Sequence, residues 1–515
     1  MVVHFLSGDL FGIEGRRVEI EVDLIGSLAQ FVVSGRAGQG VREGKERIRP
    51  AIQNSGYDYP LTARVVVNLA PATWEKDGAA FDLPIALGIL IKHRQIEVPE
   101  TRGWGVIGEL SLDGSIRAVS GVLGMVLALR AAGAKRVIVP AANLAEAQLV
   151  GDRPRIHGAR DLVEAGMILR GESVGAPLPE VRHEPAPPLP DFADVIGHDR
   201  LKHALAVAVA GGHNILLIGP PGTGKSFLAR RLVGLLPPLT PDESMEVTRI
   251  VSAAGHRVDA ATIGTRPFRA PHHTISWAGL VGGSAIPRPG EITLAHHGIL
   301  FLDEFAEYPR RALEALREPL EEGNVTVSRA RGSCTFPARF TLVAAMNPCP
   351  CGHYRNPRRS CHCTAEQVRR YLAKISGPLL DRLDLRLEVR PPASSDLLRG
   401  GGGSDARRTT AELRELVERA AAHRERHGRA GSNRSLEWKE RDRWAPLTPA
   451  ALELLAHTAD ERDLSTRALT RVLRMTRTIG DVQGEEELRE AHVLEALEYH
   501  TPGGGAGFYT WLGGA

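Results

Sequence analysis

Short aliphatic and β-branched runs alternate with helical stretches over residues 1–170. Arg64-Val-Val-Val-Asn68 and Arg136-Val-Ile-Val-Pro140 read as strands and Val122 to Ala132 as a helix, which predicts a mixed α/β domain. Across 171–190 (GESVGAPLPEVRHEPAPPLP) proline replaces large apolar residues, the composition of a semi-rigid linker. Between 191 and 392 the apolar runs Asn214-Ile-Leu-Leu-Ile218, Gly298-Ile-Leu-Phe-Leu302 and Phe340-Thr-Leu-Val-Ala344 are continuous rather than alternating. Strands covered on both faces read this way, so an α/β core with a parallel sheet between helices is expected. A second linker is expected at 393–408, around four consecutive glycines, and only helical patterns follow it over 409–500. There, Leu447-Thr-Pro-Ala places a capping threonine before proline, and Leu464-Ser465 caps a helix carrying Leu469, Val472 and Leu473. The tail 501–515 has no period, and disorder or a partner contact is expected for Phe508, Tyr509 and Trp511.

The chemistry concentrates in 191–392. Gly219-Pro220-Pro221-Gly222-Thr223-Gly224-Lys225-Ser226 fits the Walker A phosphate loop, and it follows a predicted strand and precedes a predicted helix, 225–236, stopped by Pro237-Pro238. Its glycines let backbone N–H groups wrap phosphates, Lys225 neutralises β/γ charge, and the Ser226 hydroxyl suits Mg²⁺. Ile299-Leu-Phe-Leu-Asp-Glu304 is a buried strand ending in two acids. Asp303 is expected to hold Mg²⁺ through water and Glu304 to orient the attacking water. Asn347 follows the next strand and is expected beside the γ-phosphate, at the carboxyl edge of the sheet. Arg382 in Gly377-Pro-Leu-Leu-Asp-Arg382 and Arg467 in Ser465-Thr-Arg467 are further candidates, although side-chain chemistry alone does not separate them from solvated arginines.

Cys349-Pro-Cys351 and Cys361-His-Cys363 offer four thiolates in one loop, a set able to close a structural tetrahedral Zn²⁺ site, with His353 and His362 as substitutes. That loop also carries Arg355, Arg358 and Arg359, followed by Arg369, Arg370 and Lys374, so phosphate-backbone binding competes with a subunit contact or a solvated face. Between the two nucleotide motifs, Arg266-Pro-Phe-Arg-Ala-Pro-His-His273, Trp277 and Gly282-Gly283 read as an insertion, with substrate contact favoured only slightly over a packed loop that uses the same aromatics as core.

Bulk properties set the setting. At 515 residues the chain needs several cores, and it has no long uncharged apolar stretch. A net charge of +3 leaves nucleic acid undecided. The N-terminus does not read as a signal peptide, and four of five cysteines cluster between 349 and 363, so a reducing, cytoplasmic setting without membrane contact is expected.

GPPGTGKS, RPFRAPHHT, PRPGEITLAHHGILFLDE, AAMNPCPCGHY and SGPLLDRLDL together resemble the ComM/YifB family, the magnesium-chelatase-like AAA+ proteins. The resemblance implies a Lon-protease-like domain over 1–170, a chelatase-type ATPase core over 191–392 and a helical lid over 409–500. It further implies ATP and Mg²⁺ as cofactors, a hexameric ring, and a DNA helicase that promotes branch migration in natural transformation and recombination, with single-stranded or branched DNA as partner. Arg382 resembles the arginine finger that reaches the adjacent subunit, and Arg467 the sensor-2 arginine of the lid. Around Trp74-Glu-Lys-Asp-Gly-Ala-Ala-Phe81, Ala80 stands where Lon proteases have serine and Leu123 stands near the lysine position, so no Ser–Lys dyad and no peptidase activity are expected. Two rival readings stay open: a chelatase-type motor acting on a metal-inserting partner, and an ATP-dependent protein remodeller.

Overall fold

The computed structural model describes residues 2–26, 30–177, 190–258, 263–283, 287–329, 332–354, 356, 359–391, 408–429 and 431–500. The tail aromatics Phe508, Tyr509 and Trp511, the four glycines, Arg355, Arg358 and most of the proline-rich linker lie outside these residues.

The N-terminal part builds a seven-stranded sheet from β1 (Val3–Phe11), β2 (Glu14–Gly26), β3 (Gln30–Ser34), β4 (Ala63–Ala70), β5 (Trp104–Val106), β8 (Arg136–Pro140) and β9 (Arg155–Ala159), while β6 (Glu109–Leu110) and β7 (Ile116–Arg117) form a separate two-stranded ladder. The order is β3-β4-β2-β1-β5-β8-β9, antiparallel from β1 through β2 to β4 and parallel elsewhere. Alternation positions the core: Val18, Ile20 and Val22 of β2 and Val65, Val67 and Leu69 of β4 are buried. Helices α1 (Gln39–Asn54), α2 (Asp82–Lys92), α3 (Val122–Ala131) and α4 (Leu162–Arg170) accompany the sheet. Ala80 and Leu123, the positions compared with the Ser–Lys dyad, are both buried in one apolar cluster.

The second sheet is parallel throughout, with order β11-β12-β15-β10-β16 for β10 (Ile215–Ile218), β11 (Phe268–Arg269), β12 (Ile299–Leu302), β15 (Thr341–Met346) and β16 (Leu385–Glu388). Ile215 and Leu217 face one core with Ile299, Phe301, Val343 and Ala345, whereas Leu216 and Ile218 face the other with Leu300, Leu302, Leu342 and Ala344. Burial on both faces explains the uninterrupted apolar runs. A hairpin of β13 (Asn324–Arg329) and β14 (Gly332–Pro337) stands between β12 and β15.

Helix α5 (Asp199–Gly211) shares the first core with α9 (Thr410–Arg426), α10 (Pro449–Glu461), α11 (Thr466–Gln483) and α12 (Glu490–His500), so the C-terminal helices extend the core of the sheet. Thr448 and Ser465 cap α10 and α11 by accepting from the N–H groups of Ala451 and Ala468, in the places their sequences indicate. No helix among the described residues is long and apolar enough to cross a membrane.

Two expectations are corrected here. The helix expected over 225–236 is α-helical only as α6 (Lys225–Arg231), and Leu232–Leu235 is a 3₁₀ turn. Pro237 and Pro238 have no N–H to offer the Val233 and Gly234 carbonyls; instead Leu236 N–H donates to Val233 O at 3.2 Å and the Arg414 guanidinium donates to Gly234 O at 2.6 and 2.9 Å. The stretch read as an insertion, 266–273, contributes β11 itself, because Phe268 and Arg269 pair with Ile299 and Leu300.

The two sheets' domains meet at the β1–β2 turn. Gly12 has φ +66°, and a Cβ there would lie 2.1 Å from Cys334 Sγ of β14. Glu14 pairs with Arg249 at 2.8 Å and Gly121 N–H donates to Ser252 O at 3.0 Å, both partners lying on α7 (Pro241–Ala253).

Candidate functional site

The phosphate loop connects β10 to α6 at the carboxyl edge of the parallel sheet. Gly219 donates its N–H to Met346 O at 3.2 Å, and a Cβ on it would lie 2.2 Å from Val389 O; Gly222 and Gly224 have φ +78° and +86°. Each of these positions therefore requires glycine. Lys225 Nζ folds back to donate to Gly219 O (2.7 Å), Pro220 O (2.8 Å) and Asn347 Oδ1 (3.2 Å). Burial pushes its amine down to about 8, opposed by the Asp303 charge. Thr223 Oγ1 donates to Pro220 O at 3.0 Å. Ser226 Oγ donates to Asp303 Oδ2 at 2.5 Å, and Glu304 N–H donates to Asp303 Oδ1 at 2.9 Å. The structure thus brings residues 219–226, Asp303, Glu304 and Asn347 to one edge, where β10, β12 and β15 end.

A residue named in the sequence only as the end of the 266–273 stretch joins them. His273 Nδ1 lies 2.9 Å from Glu304 Oε2, and Glu304 has φ +51°, a rare conformation outside glycine. Pairing of β11 with β12 carries the chain to that point, Tyr308 OH donates to Pro271 O at 2.6 Å, and the His272 ring packs 4.1 Å from the His273 ring. The His-His dipeptide in RAPHHT was the available signal, but nothing in the sequence ties it to Glu304.

Arg382 and Arg467 sit elsewhere. Both line a cavity of about 790 Å³ between the core and the C-terminal helices, together with Arg339 and Arg471, and none of residues 219–226, Asp303, Glu304 or Asn347 lines it. Arg382 pairs with Glu321 and donates to Pro378 O. Hydrogen bonding by Arg382, with the Arg467 charge added, holds the Glu321 carboxyl below its ordinary range.

The four cysteines come together. Sγ of Cys349 lies 3.4 Å from that of Cys351 and 3.7 Å from that of Cys361, Cys351 and Cys361 are 3.6 Å apart, and all four sulfurs lie within 4.8 Å of one another. Tetrahedral Zn–S bonds of about 2.3 Å require sulfur–sulfur edges of roughly 3.8 Å, so the donor set fits zinc. A second group, Glu246, His296 and His297, does not offer a comparable set. His296 Nδ1 accepts the Arg339 N–H at 3.0 Å, so its Nε2 carries the hydrogen that is donated to Glu246 at 2.9 Å, and no lone pair remains for a metal.

Several cations read as possible substrate contacts are already engaged. Arg266 donates to Pro237 O and His297 O, and Arg269 clamps Glu291 with two bonds of 2.7 Å. Trp277 lies near Arg311 and Arg329, at 5.1 and 5.4 Å. Arg369 and Arg370 pair with Glu366, and Lys374 with Glu307. The preference for substrate contact at 266–273 therefore gives way to a packing role for its arginines.

Family models describe three consecutive parts of the chain: subunit ChlI of Mg-chelatase over 20–143, magnesium chelatase subunit ChlI over 191–397, and its C-terminal region over 407–500. Competence protein ComM of Haemophilus influenzae is 40% identical over 494 residues, 95% of each chain. The Escherichia coli protein YifB is 38% identical over 497 residues, again 95% of each. The chain belongs to the ComM/YifB family. It shares with that family the magnesium-chelatase-like AAA+ ATPase core, which accords with the phosphate loop and the paired acids described above. A more distant match links this ComM/YifB chain to the DNA helicase MCM8 of Gallus gallus, 28% identical over 207 residues, which is 37% of this chain and 21% of that protein.

Proposed function

We propose that this chain is a ring-forming motor that couples ATP hydrolysis to movement along or remodelling of DNA, acting in branch migration during transformation or recombination. The observation that carries the ring is the separation of Arg382 and Arg467 from the phosphate loop of their own chain. Arginines that act on transition-state charge must reach it, and those of a neighbouring subunit do so when copies pack head to tail and close into a ring. A hexamer is the ring the family resemblance suggests.

The arrangement at the carboxyl edge of the sheet supports the following roles. Lys225 exchanges its carbonyl partners for β- and γ-phosphate oxygens. Ser226 and Asp303, in contact at 2.5 Å, offer the oxygens for Mg²⁺, Asp303 through water. Mg²⁺ held by these oxygens would supply neutralisation of phosphate charge. Glu304 orients the attacking water, Asn347 contacts the γ-phosphate, Arg382 stabilises the departing charge from the next subunit, and Arg467 serves as the sensor-2 arginine of the lid. The four cysteines hold a structural zinc. The units of this motor are 1–170, 191–392 and 409–500, joined by linkers, in a cytoplasmic protein.

The DNA assignment draws on two relatives, a competence protein and a DNA helicase. Its test is ATP turnover by the purified protein with and without single-stranded and branched DNA, at low and at higher salt. Strong stimulation that falls steeply with salt is expected, because phosphate contacts release counterions. Turnover indifferent to DNA would move the assignment to protein remodelling.

A further inference from the structure

The cysteine loop packs against the phosphate loop. Gly352, between Cys351 and His353, has φ +79°, and a Cβ there would lie 2.7 Å from Cδ of Pro221 in the phosphate loop and 3.8 Å from Cγ of Asn347. Its N–H donates to Cys349 O at 2.9 Å, closing the turn that presents its backbone to both neighbours. Cys349 is fully buried in the same core as Met346, the last residue of β15, and Asn347 lies between this strand and the cysteine. Cys351, Cys361 and Cys363 pack on that core, to which α8 (Ala365–Leu372) contributes Val368, Tyr371 and Leu372. Two sulfurs already accept backbone hydrogen bonds, Cys349 from Tyr354 N–H at 3.3 Å and Cys361 from Cys363 N–H at 3.4 Å, which is how thiolate charge is stabilised around a metal.

These contacts meet at Lys225 from two sides. The route through Asn347 ends on its Oδ1, 3.2 Å from Lys225 Nζ. The route through Gly352 and Pro221 ends on the adjoining Pro220 carbonyl, 2.8 Å from the same nitrogen. We propose that the Cys349–Cys363 knuckle is a brace for the phosphate loop, so that zinc occupancy of the four thiolates sets the protein's affinity for nucleotide. The proposal rests on the zinc reading given above. Four metal bonds pin a loop whose sulfurs otherwise make only weak hydrogen bonds, and the free energy of binding the metal is then free energy of holding that loop against Pro221. Without it, Gly352 recovers its backbone freedom, and the surface that positions Pro221 and Asn347 is lost.

The test uses the full chain, metal analysis, and titration with a fluorescent ADP analogue well below the melting temperature. About one zinc per chain is expected in the wild type. Cys363→Ala is expected to lose zinc and weaken nucleotide binding about tenfold, and Cys363→His, which restores a nitrogen ligand, to recover both. Gly352→Ala keeps all four thiolates but pushes on Pro221. It is expected to retain zinc and still weaken nucleotide binding, and it decides the matter if Cys363→Ala does not fold. Wild-type protein without zinc would overturn the zinc reading and the brace together. Zinc-loaded Gly352→Ala with wild-type nucleotide affinity, judged folded by circular dichroism, would overturn the brace and leave the zinc site intact.

Discussion

His273 Nδ1 lies 2.9 Å from Oε2 of Glu304, the acid expected to orient the attacking water. The Glu304 backbone is left-handed and its side chain about half exposed, and the imidazole is placed to orient its carboxylate. His273→Ala is expected to lower kcat roughly tenfold with KM unchanged, the loss typical of a partner that orients a reacting group. Glu304→Gln is expected to keep nucleotide binding and lose turnover, whereas Lys225→Ala loses binding. Steady-state hydrolysis and nucleotide titration of the three variants separate these outcomes. A rise in basal turnover for His273→Ala would mark the contact as a restraint on Glu304 instead of a support.

The depressed amine of Lys225 makes nucleotide binding pH-dependent. In the free protein its pKa is about 8, lowered by burial, and phosphate oxygens raise it again on binding. Below about pH 7 the lysine is charged in both states, so affinity is level there. Above about pH 8 the free protein has lost a proton that binding must take up, and affinity is expected to fall by at most about tenfold per pH unit. Titration of an ATP analogue into Glu304→Gln protein measures this. Constant affinity from about pH 7 to about pH 9.5 would contradict the assigned burial of the amine.

Placement of Arg382 away from its own phosphate loop makes complementation possible between two dead chains. Arg382→Ala is expected to bind nucleotide normally and to lose about 10³-fold or more in turnover, as removal of an arginine finger does. Mixing it with Lys225→Ala chains creates interfaces that pair an intact phosphate loop with an intact Arg382, and hydrolysis is expected to reappear. Mixtures as inactive as either variant, in assemblies shown to exchange subunits, would exclude an inter-subunit site.

Local interactions were legible in the sequence. The runs at β10, β12 and β15 are buried throughout apart from half-buried Thr341 at the start of β15, and a continuous apolar run records that directly. Thr448 and Ser465 cap helices whose first N–H groups lie within a few residues. The glycines at 219, 222 and 224 answer backbone requirements of the loop itself, so their spacing, with Lys225 and Ser226 and the flanking strand and helix, marked it in the sequence.

Only tertiary structure decided the rest, because the deciding partner lies far along the chain. Phe268 and Arg269 carry no strand pattern, and they become β11 by pairing with Ile299 and Leu300. That pairing turns a presumed substrate loop into sheet and delivers His273 to Glu304. Arg266 and Arg269 carry the charge of nucleic-acid contacts, but carbonyls and Glu291 had already claimed them. Arg382 and Arg467 share a cavity because the C-terminal helices fold onto the core of the sheet, a closure that no local period encodes. Local backbone hydrogen bonding and burial leave a periodic trace in the sequence, whereas contacts between distant side chains leave none until the chain is folded.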